Sequence, residues 1–331
     1  MTDIALVTGA TGFVGSALCR ALLDSGVPVR ALHRPNSPLI NLEGLSVAFI
    51  EGDILNREAM KVACTDVRWV FHAASQSAYW RDPGSVKQTA VEGTRIVAEA
   101  AFGAGVERLV FTSSLIAMGL PAAGELLTEE HSFNLPESHF PYGAAKRQAE
   151  LALLEYVDQG LDAVIVNPSI ILGAGDVNRI SGSMVTEAAR GWGFFYLDGG
   201  SNYIHIDDAA QGHLTAARYG RPGQRYILGG ENLSHHEAFS LLTQVVGRRP
   251  PWLKLPAWII PPAAWLVDRL PRWVSLPFDS NQLRMSCHYI YCDTSKARNE
   301  LKFEPRRTFQ QAAEEAFRWY AHNGMLPQTR N

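Results

Sequence analysis

Short, almost continuous apolar runs alternate with longer amphipathic segments through the first half of the chain. Such runs are typical of parallel strands covered on both faces, and the segments between them have helical spacing. The alternation predicts βαβ units, and therefore an α/β fold with a doubly wound parallel sheet of the Rossmann type. The six predicted strands are residues 4–8, 29–32, 47–50, 69–72, 109–112 and 163–167, and the clearest predicted helices are residues 14–24, 91–104 and 142–159.

The pattern becomes irregular in the second half. Residues 250–278 alone hold seven prolines and four tryptophans, a proline density that a helix-covered sheet does not tolerate. We therefore expect two domains. Residues 1–173 would form a Rossmann domain to which residues 203–228 return. Residues 174–202 and 229–331 would form a smaller C-terminal substrate-binding domain.

The segment 255–270 is markedly apolar, but it is too short, and too interrupted by Pro261 and Pro262, to cross a bilayer. Three interpretations stay open. The segment is part of the core of the second domain, a lid over the substrate, or a contact with a membrane surface. We expect core, and no transmembrane segment.

Composition is that of an ordinary globular protein, with 47% hydrophobic residues, 19% charged residues and a net charge of -3. No basic stripe is evident, so we expect no nucleic-acid partner. The chain opens directly into an apolar run, without the basic region of a signal peptide, which favours a cytoplasmic location. The four cysteines have neither CxxC nor zinc spacing, so we expect reduced thiols and no metal.

A glycine-rich motif, Thr8-Gly9-Ala10-Thr11-Gly12-Phe13-Val14-Gly15, lies between the first predicted strand and helix. In a doubly wound fold phosphates dock there, because loop N–H groups and the helix N-terminus supply partial positive charge. The three glycines permit a tight turn, a close approach of the diphosphate and close packing of the helix. The cofactor contacts expected here are Gly9, Thr11, Gly12, Phe13 and Val14.

The end of the second strand distinguishes the two nicotinamide cofactors. A carboxylate there accepts hydrogen bonds from the ribose hydroxyls of NAD, whereas an arginine pairs with the 2′-phosphate of NADP. The chain has Arg30, His33 and Arg34 at this position and no carboxylate. This favours NADP, with Arg34 as the phosphate partner.

Tyr142 and Lys146 lie one turn apart on the same face of a predicted helix. A neighbouring ammonium favours the phenolate, so Tyr142 could exchange a proton with a substrate oxygen while a hydride moves to or from the cofactor. Ser113 and Ser114 close a buried strand at the sheet edge where open α/β sheets bind ligands. A hydroxyl there could hydrogen-bond a substrate carbonyl.

Further short motifs follow the predicted strands in an order typical of one enzyme family. Gly52-Asp53-Ile54 follows the third strand, His72-Ala73-Ala74-Ser75 ends the fourth, Thr112-Ser113-Ser114 ends the fifth, and Asn167-Pro168-Ser169 ends the sixth. With the glycine motif and the Tyr–Lys pair, the chain resembles the extended short-chain dehydrogenase/reductase family, or NAD-dependent epimerase/dehydratase family, over nearly its whole length.

The resemblance implies cofactor contacts beyond the glycine motif. Asp53 would lie near the adenine, and the backbone of Ala73 and Ala74 would line the cofactor. Lys146 would bind the nicotinamide ribose. The other contacts implied are Ile54, Ser75, Thr112, Tyr142, Asn167, Pro168 and Ser169, with the last two bordering the carboxamide.

The same resemblance implies that Ser114, rather than Ser113, is the catalytic serine. Two branches of the family look close. Residues 29–34, 111–114 and 166–168 resemble dihydroflavonol-reductase-like and 3β-hydroxysteroid-dehydrogenase-like reductases. The hopanoid-associated sugar epimerases give a longer match, which comprises residues 41–45, 81–84, 205–208 and 226–232.

Our leading hypothesis is an NADP(H)-dependent carbonyl reductase, or the reverse alcohol dehydrogenase, that acts on an apolar or aromatic small molecule. Ser114 would polarise the carbonyl, Tyr142 would protonate its oxygen, and Lys146 would hold the ribose. We expect Ser75 and Ser114 at the substrate. The aromatic candidates for the same site are Tyr79, Trp80, Trp192, Phe194, Phe195 and Tyr196.

Two alternatives stay open. A nucleotide-sugar epimerase with tightly bound NAD(P) needs cations for the substrate diphosphate, and the candidates are Arg179, Arg190, Arg225 and Arg284. A non-catalytic NADP-binding redox sensor has no need of the Ser–Tyr–Lys group. The resemblance also implies a homodimer, formed through a four-helix interface by the helices predicted at 91–104 and 142–159.

Overall fold

The computed structural model describes residues 3–76, 83–269 and 280–326. Within them the strands are β1 (Ala5–Thr8), β2 (Val29–His33), β3 (Ala48–Glu51), β4 (Trp69–His72), β5 (Arg108–Thr112), β6 (Ala163–Pro168), β7 (Ile170–Leu172), β8 (Phe195–Tyr196), β9 (Gly200–His205), β10 (Arg225–Leu228), β11 (Glu231–Ser234), β12 (Leu253–Lys254) and β13 (Tyr289–Ile290). The helices are α1 (Phe13–Asp24), α2 (Arg57–Cys64), α3 (Pro83–Lys87), α4 (Gly93–Gly103), α5 (Pro141–Val157), α6 (Ser183–Arg190), α7 (Ile206–Tyr219), α8 (His235–Val245), α9 (Ile260–Arg269), α10 (Ser280–Met285), α11 (Ser295–Leu301) and α12 (Phe309–His322).

Seven strands form one parallel sheet in the order β3-β2-β1-β4-β5-β6-β10. The six strands predicted from apolar runs are all present, and each end lies within one residue of its predicted position. The side chains of β1, β4 and β6 are entirely buried, which explains why these strands are continuously apolar. The predicted α/β fold with a doubly wound Rossmann sheet is therefore confirmed.

Helices cover both faces of this sheet. On one face Leu18 and Leu22 of α1 pack with Leu214 of α7, and on the other Val97 of α4 packs with Leu153 of α5. Strands β2 and β3 follow in turn on one side of β1, and β4, β5 and β6 follow on its other side, so the sheet changes winding direction beside β1. In such folds a crevice opens at the carboxyl ends of the strands at this point, and ligands bind there.

A smaller sheet in the second half joins β11, β9 and β13, with β7 also paired to β9. Helices α6, α8 and α12 share an apolar cluster with it. Within residues 203–228, β10 extends the large sheet beside β6, whereas β9 belongs to the smaller sheet. We keep the division into a Rossmann domain and a substrate-binding domain as a proposal.

The segment 255–269 departs from our expectation of core. In α9 only Ile260 and Ala264 are buried, whereas Trp265 and Leu266 are more than half exposed. Several of its apolar side chains instead line the cleft described below. An apolar pattern cannot distinguish a core helix from the wall of a cavity, because both exclude charge. No helix within the described residues is long and apolar enough to cross a membrane.

Candidate active site

A cleft of about 1460 Å³ opens at the carboxyl ends of the large sheet and extends to α9. It brings together residues that are far apart in sequence, as the predicted motifs require. All the residues predicted to bind cofactor line it, except Asn167. They are Gly9, Thr11, Gly12, Phe13, Val14, Arg34, Asp53, Ile54, Ala73, Ala74, Ser75, Thr112, Tyr142, Lys146, Pro168 and Ser169.

The glycine loop has the shape of a diphosphate cradle. Gly9 has φ +67°, and a Cβ there would lie 2.7 Å from the Cα of Ala74. A Cβ on Gly15 would collide with the carbonyl oxygen of Gly9, so α1 can pack this close only with glycine. Helix α1 starts after Gly12, and N–H groups of a first helical turn have no partner within their helix. The residues therefore fit a dinucleotide phosphate.

The two arginines at the end of β2 have different surroundings. Arg30 donates to the carbonyls of Ala63 and Thr65 at 2.8 and 2.7 Å, so it holds the end of α2. Arg34 is exposed and lines a second cavity, of about 450 Å³, beside the glycine loop. Within the described part of the chain its guanidinium has no hydrogen-bond or ion-pair partner. Arg34 is thus the cation available to a phosphate at this edge.

The predicted adenine end of the cleft lies after β3. One carboxylate oxygen of Asp53 accepts a hydrogen bond from the Leu55 amide at 2.9 Å, which fixes the turn. Ile54 is buried and packs where a side chain at Gly93 would be, 2.6 Å from a Cβ built there. Ile54 therefore packs this turn against the start of α4.

Tyr142 lies in the first turn of α5, which Pro141 starts. Its phenol is hydrogen-bonded with the hydroxyls of Ser75 and Ser114. Burial raises the pKa of Tyr142, and these two hydrogen bonds oppose the rise only in part. The expected stabilisation of the phenolate by the Lys146 ammonium stays a prediction, because the shift in the Tyr142 pKa comes from burial and these two hydrogen bonds. Tyr142 is held as a neutral phenol, which is the form that donates a proton.

Lys146 lies behind Tyr142 and is 3% exposed. Its ammonium donates to the Thr112 carbonyl at 2.8 Å. Burial lowers the pKa of Lys146 to about 8, while the carboxylate of Glu150 acts in the opposite direction. The Thr112 hydroxyl is 2.9 Å from Nε2 of His213, so the side chain of Thr112 is occupied and its carbonyl holds the lysine.

Our sequence reasoning missed Glu150, a fully buried carboxylate one turn after Lys146. It accepts a hydrogen bond from the Ser113 hydroxyl at 2.5 Å and another from Nδ2 of Asn167 at 2.7 Å. Asn167 also donates to the Ser114 carbonyl at 3.0 Å. The Glu150 network therefore supports the strand end that carries Ser114. The i+4 spacing from Lys146 was the signal in the sequence.

This network also corrects the expected role of Asn167. We expected a cofactor contact, but Asn167 is fully buried and does not line the cleft. Its amide is used to connect Glu150 with Ser114. Ser113 likewise donates its hydroxyl to Glu150, which leaves Ser114 as the strand-end serine that contacts Tyr142.

Pro168 and Ser169 line the cleft directly after β6. The Ser169 hydroxyl is buried and has no hydrogen-bond partner within the described residues. A buried hydroxyl without a partner is costly, so it fits a ligand amide placed there. This is consistent with the carboxamide end of a nicotinamide.

The other half of the cleft is lined mainly by apolar side chains from the small sheet, α8, α9 and α10. Of the predicted aromatic candidates, Trp192, Phe195 and Tyr196 line it. Phe194 does not, and stacks instead on Trp252 with ring centroids 6.4 Å apart. Tyr79 and Trp80 lie outside the described residues. Further lining residues are Leu197, Phe239, Leu255, Ile259, Ile260, Ala263, Leu266, Val267, Leu283, Met285 and Ile290.

Cations are scarce in this half of the cleft. Among the described lining residues, Arg34 and Lys146 are the only arginine or lysine side chains, and both belong to the predicted cofactor half. None of the four arginines considered for a sugar diphosphate lines the cleft. Arg225 donates to the carbonyls of Glu129 and His131, and Arg284 pairs with Asp268.

Comparison with known proteins agrees with this geometry. Residues 5–229 match the NAD dependent epimerase/dehydratase family. The chain belongs to this family, which comprises the extended short-chain dehydrogenases/reductases. It is an enzyme of that type, with a nicotinamide cofactor.

Three similar proteins cover essentially the whole chain. A dihydroflavonol 4-reductase-like protein of Synechocystis sp. is 34% identical over 98% of this chain and 97% of its own. The sterol demethylase protein B of Methylococcus capsulatus is 32% identical over 97% of this chain and 99% of its own. The crystal structure of gox2253 superposes with a TM-score of 0.86 at 34% identity, over 98% of this chain and all of the other.

Proposed function

We propose that the protein is an NADP(H)-dependent carbonyl reductase, or the reverse alcohol dehydrogenase, for an apolar or aromatic small molecule. The observation that carries this proposal is the apolar half of the cleft, which holds no arginine or lysine among the described lining residues. A nucleotide-sugar diphosphate would need cations there. The names of two relatives, a dihydroflavonol reductase and a sterol demethylase protein, point to the same substrate class.

In the proposed mechanism the substrate carbonyl lies between Ser114 and Tyr142. The Ser114 hydroxyl donates a hydrogen bond to the carbonyl oxygen and polarises it. When bound, a nicotinamide cofactor would supply the hydride that the carbonyl carbon accepts. As the C=O π bond breaks, the Tyr142 phenol gives its proton to the oxygen, and the product is an alcohol.

The supporting residues then have distinct parts in the proposal. Lys146 would bind the nicotinamide ribose, and its ammonium would stabilise the Tyr142 phenolate once the proton has left. Ser75, like Ser114, holds the phenol by a hydrogen bond. Thr112 and Glu150 keep Lys146 and the serine strand in place without touching substrate.

We propose NADP rather than NAD because Arg34 is exposed, lines both cavities and faces no described carboxylate. An arginine that is free to form paired hydrogen bonds recognises a ribose 2′-phosphate well. Asp53 follows β3, and its carboxylate accepts a hydrogen bond from the Leu55 amide. It therefore does not replace the carboxylate that NAD enzymes place at the end of β2.

The first experiment identifies the nucleotide. The purified protein is denatured, any released nucleotide is identified, and the native protein is titrated with NADPH and NADH. We expect little retained nucleotide, tighter binding of NADPH, and NADPH oxidation that depends on hydrophobic ketones or aldehydes. Near-stoichiometric retained NAD would instead support an epimerase, since that cycle returns the hydride and never has to release its cofactor.

We also propose a cytoplasmic homodimer. Helices α4 and α5 pack side by side, joined by the Arg95–Glu155 ion pair, and Leu151 on α5 is 47% exposed. The proposed cytoplasmic location is supported by the cysteines, because all four are free thiols and three are buried. Sedimentation velocity measures the assembly directly, and a Leu151→Glu variant is expected to convert dimer to monomer.

A further inference from the structure

The outer surface next to the cleft is unusually rich in exposed aromatic side chains. Trp252 and Trp258 are 73% and 75% exposed, and Trp265 is 55% exposed. The indole is expensive to leave in water, and scattered single exposed residues are the usual case in soluble proteins. Here three tryptophans occur within one short segment that wraps the substrate half of the cleft.

Helix α9 and the turn before it have two apolar faces. Ile259, Ala263 and Val267 follow helical spacing and line the cleft. Trp258 and Trp265 lie seven residues apart, about two helical turns, and are exposed on the outside. The helix is therefore a thin wall, with the cavity on one side and exposed tryptophans on the other.

Along the segment that carries these tryptophans basic side chains outnumber acidic ones, although one of them, Lys254, is paired with Asp198. Residues 248–269 contain four basic side chains and one acidic one, whereas the chain carries a net charge of -3. The acidic residue, Asp268, is paired with Arg284. Arg269 lies over the Trp265 ring at 3.7 Å, and the guanidinium of Arg249 has no ion-pair partner within the described residues.

We propose that Trp252, Trp258 and Trp265, with Arg249 and Arg269, form a surface that binds an anionic lipid bilayer. Interfacial tryptophans beside basic residues are the combination that lipid headgroups bind. A second copy of this chain is a weaker candidate occupant. Twofold symmetry would bring equal basic side chains toward one another.

The bound orientation places α9 between the bilayer and the cleft. An apolar substrate dissolved in the membrane could then enter the cavity without crossing bulk water. This second step rests on the proposed function, whereas lipid binding itself does not. The two parts are therefore tested separately.

The test is flotation of the full chain with phosphatidylcholine vesicles and with vesicles that also contain phosphatidylglycerol. We expect binding to the anionic vesicles, weakened by salt. Trp258→Ala combined with Trp265→Ala is expected to lower the affinity for anionic vesicles about tenfold or more. The double variant lacks the two indoles whose apolar area would be buried in the membrane interface. Arg249→Gln is expected to lower it about fivefold.

The matched control is Tyr219→Ala, which removes a 46% exposed aromatic side chain at the end of α7. It should bind vesicles as the unmodified chain does. Equal binding to both vesicle types, or unchanged binding of the double tryptophan variant, overturns the proposal. So does a sedimentation experiment in which the tryptophan variants only dissociate an oligomer.

Reduction of a water-soluble ketone without vesicles is measured in parallel. None of the three substituted residues lines the cleft, so this activity should be preserved. If vesicles bind but no ketone is reduced, the proposed function fails and the lipid surface stands. If ketones are reduced but anionic vesicles do not bind, the surface fails alone.

Discussion

At the scale of single residues, burial has the largest effect on the pKa of Tyr142 and on that of Lys146. Burial keeps the phenol neutral and lowers the pKa of Lys146 to about 8. Both effects depend on neighbouring strands and loops. The spacing of Tyr142 and Lys146 in the sequence shows that the two side chains share a helix face. It does not show that the Thr112 carbonyl holds the lysine.

Glu150→Gln tests the network behind Lys146. The ammonium is charged below its pKa, and the carboxylate raises that pKa, so its removal lowers it. If catalysis requires the charged lysine, the fall of kcat/KM at alkaline pH should begin at a lower pH in the variant. A uniform loss with an unmoved pH profile would mean that Glu150 is merely structural. Glu314→Gln, on the exposed side of α12 and away from the cleft, is the control.

Arg34→Ala tests the choice of cofactor. Charge-assisted hydrogen bonds to a phosphate contribute about 1.5–3 kcal/mol, so NADPH should bind roughly ten to a hundred times more weakly. NADH binding should hardly change. Fluorescence titration measures both, with Arg318→Ala on α12 as a remote control. An equal loss for the two nucleotides would remove Arg34 from 2′-phosphate recognition.

At the scale of elements, β1, β4 and β6 were predictable because they are buried on both faces and therefore continuously apolar, whereas the edge strand β3 is mostly exposed. The prediction of a helix at 91–104 was less exact in its starting residue. The helix is preceded by a π-helical turn, Gln88–Glu92, and α4 proper begins at Gly93. A π turn has no distinct composition, because the same side chains also suit an α-helix.

The role of α9 could not be predicted for a different reason. Its apolar residues serve two surfaces, the cleft and the exterior, and only the folded chain shows which residue faces which. The same holds for Asn167. Its position after a strand matched a cofactor motif, but its side chain points to Glu150 because the buried carboxylate needs donors there.

Gly15→Ala tests the packing of α1 on the glycine loop. An added Cβ would collide with the Gly9 carbonyl, so the helix must move from the loop. We expect a loss of roughly 1–3 kcal/mol in the free energy of unfolding, together with weaker cofactor binding. Urea unfolding and titration measure these. Gly103→Ala, which meets no atom within 4 Å, should change neither. Unchanged Gly15→Ala behaviour would show that the loop adapts.

At the scale of the whole molecule, one cleft joins two different environments. Its half at the large sheet offers helix N–H groups, Arg34 and a buried hydroxyl on Ser169, which suit a charged dinucleotide. Its half at the small sheet and α9 offers apolar walls. Ser114, Tyr142 and Lys146 line the same cleft. On this fold, such a division of polarity suits the proposed reduction of an apolar substrate better than the binding of a sugar nucleotide.

The most direct test of the central proposal is Tyr142→Phe, with NADPH affinity and ketone reduction measured on the same preparation. The substitution removes only the phenolic oxygen, so the nucleotide should bind as before. Turnover should fall by about a hundredfold to ten-thousandfold, because the carbonyl oxygen loses its proton donor. A variant that still reduces ketones at nearly the original rate, with NADPH affinity intact, would contradict the assignment of Tyr142 as the catalytic acid.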